Sequence, residues 1–283
     1  MISEKAASPA ASKLKFRLAG AAQPLILLPV HVNGQGPFDF ILDTGAGTSL
    51  LTPEIIQALE IESTGSRQGQ TAGGPVNVLL ATADSFTVGE MRRDDIDVAI
   101  MDLSYIGRAV GARLEGDLGY NFLKYFRLSI DFRALELKLE DPRKIEAFGP
   151  AARTEVPMRL AQPSKPLILI ETYVGEKGPF QFAIDTGTST TAISPQLARD
   201  LHLQTAPVGP VTTGGAHLAM SAARVKSIRV GRSERREVDV IVGDFLTMLS
   251  QAAGAKLDGI VGYNFLRNYK VVIDYPNELF RLE

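Results

Sequence analysis

The chain runs to 283 residues, more than one small hydrophobic core usually occupies, and its 45% apolar and 22% charged content is that of a folded globular protein with material for two domains. Thirty basic side chains against 32 acidic ones leave a formal charge of −2, which supplies no cationic field for phosphate backbones, so nucleic acid is not expected as a partner. The absence of cysteine excludes disulfides, thiolate nucleophiles and cysteine-ligated zinc, and leaves the cellular compartment open.

Residues 1–20, MISEKAASPAASKLKFRLAG, place Glu and Lys early, are rich in Ala, Ser and Pro, and read as a flexible N-terminal tail without an apolar run of signal-peptide length. The first structured pattern is a hairpin: strand formers over Leu25–Val32, a glycine-rich turn at Asn33–Gly36, and a short apolar run over Phe38–Leu42. That run ends directly on Asp43-Thr44-Gly45. Thr52-Pro53-Glu54 then predicts a short helix, with a capping hydroxyl before proline at the first helical position. Strands are predicted at Val76–Leu80, Ser85–Val88, Asp97–Met101 and Leu128–Phe132, and the half closes on the alternating ELKLE of 136–140. Asp141–Ala152, with two prolines and a glycine and no alternation, reads as a linker. No stretch reaches the roughly 18 uninterrupted apolar residues that a membrane-spanning helix needs.

The second half repeats the first. Residues 24–45 laid over 166–187 are identical at 12 of 22 positions, an offset of 142 that takes Asp43 to Asp185. The same offset carries Pro53 to Pro195, Val88-Gly89 to Val230-Gly231 and Asp97 to Asp239, while GDLGYNFL at 116–123 meets GIVGYNFL at 259–266 with the offset now 143. The period far exceeds the roughly 20–50 residues of a solenoid unit, so a whole domain has been duplicated. The expected organisation is two mainly β lobes related by a pseudo-twofold, residues 21–145 and 153–283, with short helices.

Asp43-Thr44-Gly45 and Asp185-Thr186-Gly187 each place a carboxylate at the end of a buried strand, a costly position for a charge. One such triplet is an ordinary turn signal; two in matching contexts suggest a pair. Two carboxylates a few ångströms apart cannot both ionise easily, so they share a proton, and one can take a proton from water while the other gives one. Glycine lets the two loops approach without Cβ atoms between them, and the threonine hydroxyls can bond across the interface.

In these motifs the sequence resembles the pepsin and retropepsin superfamily of aspartic proteases, in the form of two retropepsin-like domains fused in one chain, as in bacterial aspartyl proteases. ILDTGAGTS and AIDTGTSTT resemble the catalytic loop, Gln70–Gly74 and Val211–Gly215 the glycine-rich flap, and Asp117-Leu118-Gly119 and Ile260-Val261-Gly262 the apolar-apolar-glycine motif beneath the loop, followed by short helices at Tyr120–Leu123 and Tyr263–Leu266. The resemblance implies an aspartic endopeptidase acting on peptides or proteins, with Asp43 and Asp185 catalytic, Thr44, Gly45, Thr186, Gly187 and Thr188 supporting them, and Thr71, Gly73, Gly74, Thr213, Gly214 and Gly215 contacting substrate. It implies no cofactor and no metal, and activity as a monomer; a periplasmic or secreted location is suggested by resemblance only, and a cytoplasmic one stays open. The residue three after each aspartate differs, Ala46 against Thr188; a Thr188 hydroxyl donating to Asp185 predicts that Asp43 more often carries the shared proton, with an optimum at about pH 4–6. Two other readings stay open: a non-catalytic peptide-binding module that keeps the fold, and a domain-swapped dimer.

His31, His202 and His217 have no ligand spacing, and Asp102, Asp117, Asp131, Asp239, Asp244 and Asp274 are dispersed among strand ends and turns, where structural roles are expected. The duplicated Gly-Tyr-Asn-Phe-Leu is expected to pack and cap the core.

Overall fold

The computed structural model of the chain describes residues 9–71, 73–145, 155–163, 165–213 and 216–283. Each half folds into an eight-stranded sheet, and the two sheets have the same strand order. In the first half that order runs Arg17–Ala19, Leu25–Val32, Gln35–Leu42, Gly116–Leu118, Ser49–Leu51, Met91–Ile100, Gly74–Val88, Ser63–Thr71, and Leu25–Val32 also pairs with Gly74–Val88, curling the sheet towards a barrel. The repeat that is visible in the sequence is therefore a repeat of topology. The mainly β, two-lobed architecture expected above is what the chain adopts.

The hairpins form where the composition places them. Val32 pairs with Gln35 across a two-residue turn whose Asn33 and Gly34 both have positive φ, 51° and 78°, as the tight turn with matching twist requires. The helix Pro53–Ala58 begins at Thr52 and Pro195–Asp200 at Ser194, but only Ser194 caps: its hydroxyl accepts from the Leu197 N–H at 3.1 Å, while the buried Thr52 makes no capping bond. Val76–Leu80 and Ser85–Val88, expected as two strands, are one strand, Gly74–Val88. Its burial alternates over most of its length, so the strand carries straight through the polar residues between them. Helices at Ser104–Val110 and Phe245–Ala253, which the sequence analysis does not anticipate, end on the left-handed glycines Gly111 and Gly254 and cover the outer flank of each sheet.

A third sheet belongs to both halves. Its six strands run Ala11–Lys15, Glu136–Glu140, Arg127–Asp131, Lys270–Asp274, Leu279–Leu282, Glu155–Pro157. At its centre Arg127–Asp131 and Lys270–Asp274 pair antiparallel, Arg127 opposite Asp274 and Asp131 opposite Lys270, with Ser129 facing Val272. Under the offset of 143, Val272 is the counterpart of Ser129, so the pseudo-twofold passes through this pair. Arg127 and Asp274 are both buried and ion-paired, Nε to Oδ2 at 2.8 Å. One apolar cluster runs without a break from Phe16 and Ile26 in the first half to Phe265 and Phe280 in the second.

Residues 1–20 were expected to be a flexible tail, and over 11–19 they are not. Ala11–Lys15 pairs in register with Glu136–Glu140, and Arg17–Ala19 with Leu25–Leu27. Leu14, Phe16 and Leu18 alternate with Lys13, Lys15 and Arg17, and Phe16 and Ala19 are buried in the two cores that the strands border. Residues 1–8 of the tail and 146–152 of the expected linker lie outside the described residues. Among the described residues, no helix is long and apolar enough to cross a membrane.

Candidate active site

Asp43 and Asp185 sit one residue past the ends of Gln35–Leu42 and Lys177–Ile184. Both strands are held by a parallel neighbour: Leu42 lies beside Leu118 and Ile184 beside Val261, and each aspartate continues the ladder, donating its N–H to the Leu118 carbonyl (3.1 Å) or the Val261 carbonyl (3.2 Å). A rigid, fully paired strand thus aims each carboxylate at the junction of the lobes.

The two loops are locked to each other by the threonines. The Thr44 N–H donates to Thr186 Oγ1 and the Thr186 N–H to Thr44 Oγ1, both at 3.1 Å. Each hydroxyl then donates onward into the other lobe, Thr44 to the Ile184 carbonyl at 3.1 Å and Thr186 to the Leu42 carbonyl at 2.6 Å. All four bonds are buried, so each donor and acceptor needs its partner.

Gly45 and Gly187 explain the spacing. A Cβ on Gly45 would lie 2.7 Å from the carboxylate carbon of Asp185, and one on Gly187 would lie 2.6 Å from that of Asp43. Each carboxylate therefore rests on the glycine of the opposite loop, and any side chain there would force the pair apart. The structure thus brings together Asp43, Thr44, Gly45, Asp185, Thr186, Gly187 and Thr188 from two segments 142 positions apart.

Within its loop, Asp185 accepts from the Gly187 N–H at 2.8 Å and the Thr188 hydroxyl at 2.8 Å, the latter as expected. Asp43 accepts from the Gly45 N–H at 2.7 Å and also from the Ala46 N–H at 3.0 Å. Position 46, which lacks the hydroxyl of Thr188, supplies a backbone donor in its place. Burial, then the charge of Asp43, push the Asp185 carboxyl up from 3.8 to about 7, against the pull of Thr188 and Gly187. At Asp185, loss of hydration and the facing carboxylate outweigh the pull of the one hydroxyl. The pair titrates as a unit.

Beneath each loop lies a clamp that the sequence reading took for core packing alone. Asn121 Oδ1 accepts from both the N–H (2.9 Å) and the hydroxyl (2.8 Å) of Ser49, and the Asn121 amide donates to the Asp97 carbonyl at 2.6 Å. Asn264 repeats this on Thr191, at 2.8 and 2.7 Å, and donates to the Asp239 carbonyl at 2.8 Å. The hydroxyls of Ser49 and Thr191 accept from the N–H groups of Gly119 and Gly262. A Cβ on those glycines would come within 2.9 Å of the Ala46 carbonyl and 2.7 Å of the Thr188 carbonyl. The signal was present: a hydroxyl six residues after each aspartate, and an identical Tyr-Asn-Phe-Leu in both copies.

Of the residues read as flap, Thr71 ends Ser63–Thr71, Gly74 begins Gly74–Val88, and between them the Gly73 N–H donates to Thr71 Oγ1 at 3.2 Å. Thr213 ends Ala206–Thr213; Gly214 and Gly215 lie outside the described residues. The first hairpin is fastened to the Asp43 loop by the Arg67 guanidinium, which donates to Thr48 Oγ1 at 2.8 Å. Of the other aspartates named above, Asp102 accepts from the N–H and hydroxyl of Ser104, Asp131 from the N–H groups of Arg133 and Ala134, and Asp239 pairs with Arg224, while Asp117 lies buried within the strand Gly116–Leu118.

The family model described as aspartyl protease matches the chain twice, over residues 28–122 and 170–265. No curated protein matches it. The two ranges take in most of the chain, one in each lobe and each with its own Asp-Thr-Gly, and the chain belongs to that family, with two retropepsin-like domains fused in one polypeptide.

Proposed function

From this membership in the aspartyl protease family, we propose that the protein is an endopeptidase whose Asp43 and Asp185 form one shared-proton dyad. The observation that carries the reading is the reciprocal seating of each carboxylate on the other loop's glycine. Such a pair holds one proton between two oxygens that face the same water. With the proton at Asp185, the Asp43 carboxylate takes a proton from that water as its oxygen bonds to the scissile carbonyl carbon. Asp185 gives its proton to the carbonyl oxygen, leaving a tetrahedral diol. Collapse breaks the C–N bond: Asp43 returns its proton to the departing nitrogen, and Asp185 recovers one from the diol as the carboxylic acid forms. Substrate would lie extended across the junction, adding a strand beneath the glycine-rich hairpins, which exclude bulk water. No cofactor enters the cycle. The fused halves suffice for a monomer.

Cleavage of a denatured protein mixture, followed from pH 3 to 8 for wild type, Asp43→Asn and Asp185→Asn with and without a statine-type inhibitor, tests this. Each single variant is expected to lose activity by on the order of 10²–10⁴-fold or more, and the inhibitor to block the wild type. A folded wild type that cleaves nothing would overturn the reading and leave a peptide-binding module; a single variant that retains activity would overturn the shared dyad.

A further inference from the structure

The duplication is close at the aspartates but broken one layer below. Tyr120 opens the helix Tyr120–Leu123 and donates its N–H to the Ala46 carbonyl at 2.8 Å; Tyr263 does the same to the Thr188 carbonyl at 2.8 Å. Each of these tyrosines packs edge-on against an aromatic ring from the other half, Tyr120 on Tyr275 at 5.6 Å and Tyr263 on Phe132 at 5.5 Å. Phe132 and Tyr275 are counterparts under the offset of 143. The crossed pairs therefore differ by a single hydroxyl.

That hydroxyl is out of place by ordinary rules. Tyr275 is 4% exposed, and its oxygen has no hydrogen-bond partner among the described residues. Buried phenols normally find a partner, and one left without it loses its hydration with nothing in return. Phenylalanine fills the equivalent place in the other half without that cost. The charged and titratable groups around it are Asp43 and Asp185 at the loop ends and Tyr120 on the facing helix; the adjacent Asp274 is neutralised by Arg127 and bonded by Asn277.

We propose that Tyr275 is a positioning residue of the dyad, its buried hydroxyl making Asp43 and Asp185 chemically unequal. The inference rests on the dyad reading above. Burial first, then the charge of Asp43 ahead of that of Asp185, raise the phenol well above its ordinary range, so it stays an O–H dipole at every working pH. Tyr275 packs on Tyr120, whose N–H holds the Asp43 loop at the Ala46 carbonyl, so its unpartnered O–H lies on the Asp43 side of the pair. In a poorly hydrated interior an O–H turned to a carboxylate favours the charged form. Tyr275 thus holds Asp43 as the base, and the shared proton settles at Asp185. Fixed roles matter because the two loops otherwise offer similar donors.

The test reads the dyad directly. The carboxyl carbons of Asp43 and Asp185 are titrated by NMR in the wild type, Tyr275→Phe and Phe132→Tyr, alongside the pH profile of kcat/KM. Tyr275→Phe is expected to raise the lower dyad pKa by about half a unit or more, moving the acidic limb upward. Phe132→Tyr, which adds the missing hydroxyl on the other side, is expected to move the dyad the opposite way. A packing role alone would change melting temperature and leave both titrations in place; superimposable titrations in either correctly folded variant overturn the proposal. Shifted titrations in a protein that cleaves no peptide uphold the inference and sink the protease reading instead, so the two fail separately.

Discussion

At the scale of the residue, the site is a problem of unwelcome charge. Asp185 holds its proton up to about pH 7 in the folded protein, where an unfolded aspartate releases it near 3.8. Between those values the native state binds more protons than the unfolded chain, so this group's contribution to stability falls as pH rises through the window. Asp185→Asn removes that burden. Its melting temperature is expected to exceed the wild type's at pH 7–8 and to converge with it below about pH 4, where both side chains are neutral. A variant less stable than wild type at neutral pH would count against the coupling. In the proposed cycle one proton is shared by the pair, so kcat/KM is expected to decline as pH passes about 7. A pH profile of the wild type checks this against the lower optimum that sequence alone suggested.

At the scale of the element, what was legible depended on periodicity and repetition. The paired hairpins, the Tyr120–Leu123 and Tyr263–Leu266 helices and the closing strand Glu136–Glu140 announce themselves through strand formers, turn residues or duplication. The two aspartate loops were legible for the same reason, each copy making the other less accidental. What escaped notice was a strand held by a long-range partner and a donor supplied by the backbone. Ala11–Lys15 is a strand because Glu136–Glu140 lies beside it, and the donor at Ala46 is a backbone group that no side-chain reading contains. The asparagine clamps lay between these extremes, visible as repeated letters but silent about their bonds. Asn121→Ala unties Ser49 from Asp97 and is expected to cost about 1–3 kcal/mol in chemical denaturation. It should also lower kcat roughly tenfold with little change in KM, because the loop loses its aim before it loses its substrate. Asn264→Ala should do the same in the other half. A variant with normal kcat would reduce the clamp to a matter of folding.

At the scale of the whole molecule, the two lobes are one folding unit. The loops share four buried bonds, the central sheet takes strands from both halves, and a single apolar cluster runs through it. The Arg127–Asp274 pair crosses the seam with neither partner accessible. Arg127→Met is expected to destabilise the protein by about 3–5 kcal/mol, because Asp274 keeps its charge and loses its counterion. Replacing both partners by apolar residues should restore much of that loss. Melting curves of the single and double variants decide between this and a dispensable pair.

The seam also says what one half would do by itself. Along Arg127–Asp131 a basic residue comes first and an acidic one last, and Lys270–Asp274 has the same order, so the antiparallel register sets base against acid at both ends. A lone half would therefore carry an edge complementary to itself. Released from its fusion, it would close on a second copy through an isologous interface, bringing two identical aspartates together. The single chain is the form in which those twins are free to differ: a Thr188 hydroxyl stands by Asp185 where Ala46 stands by Asp43.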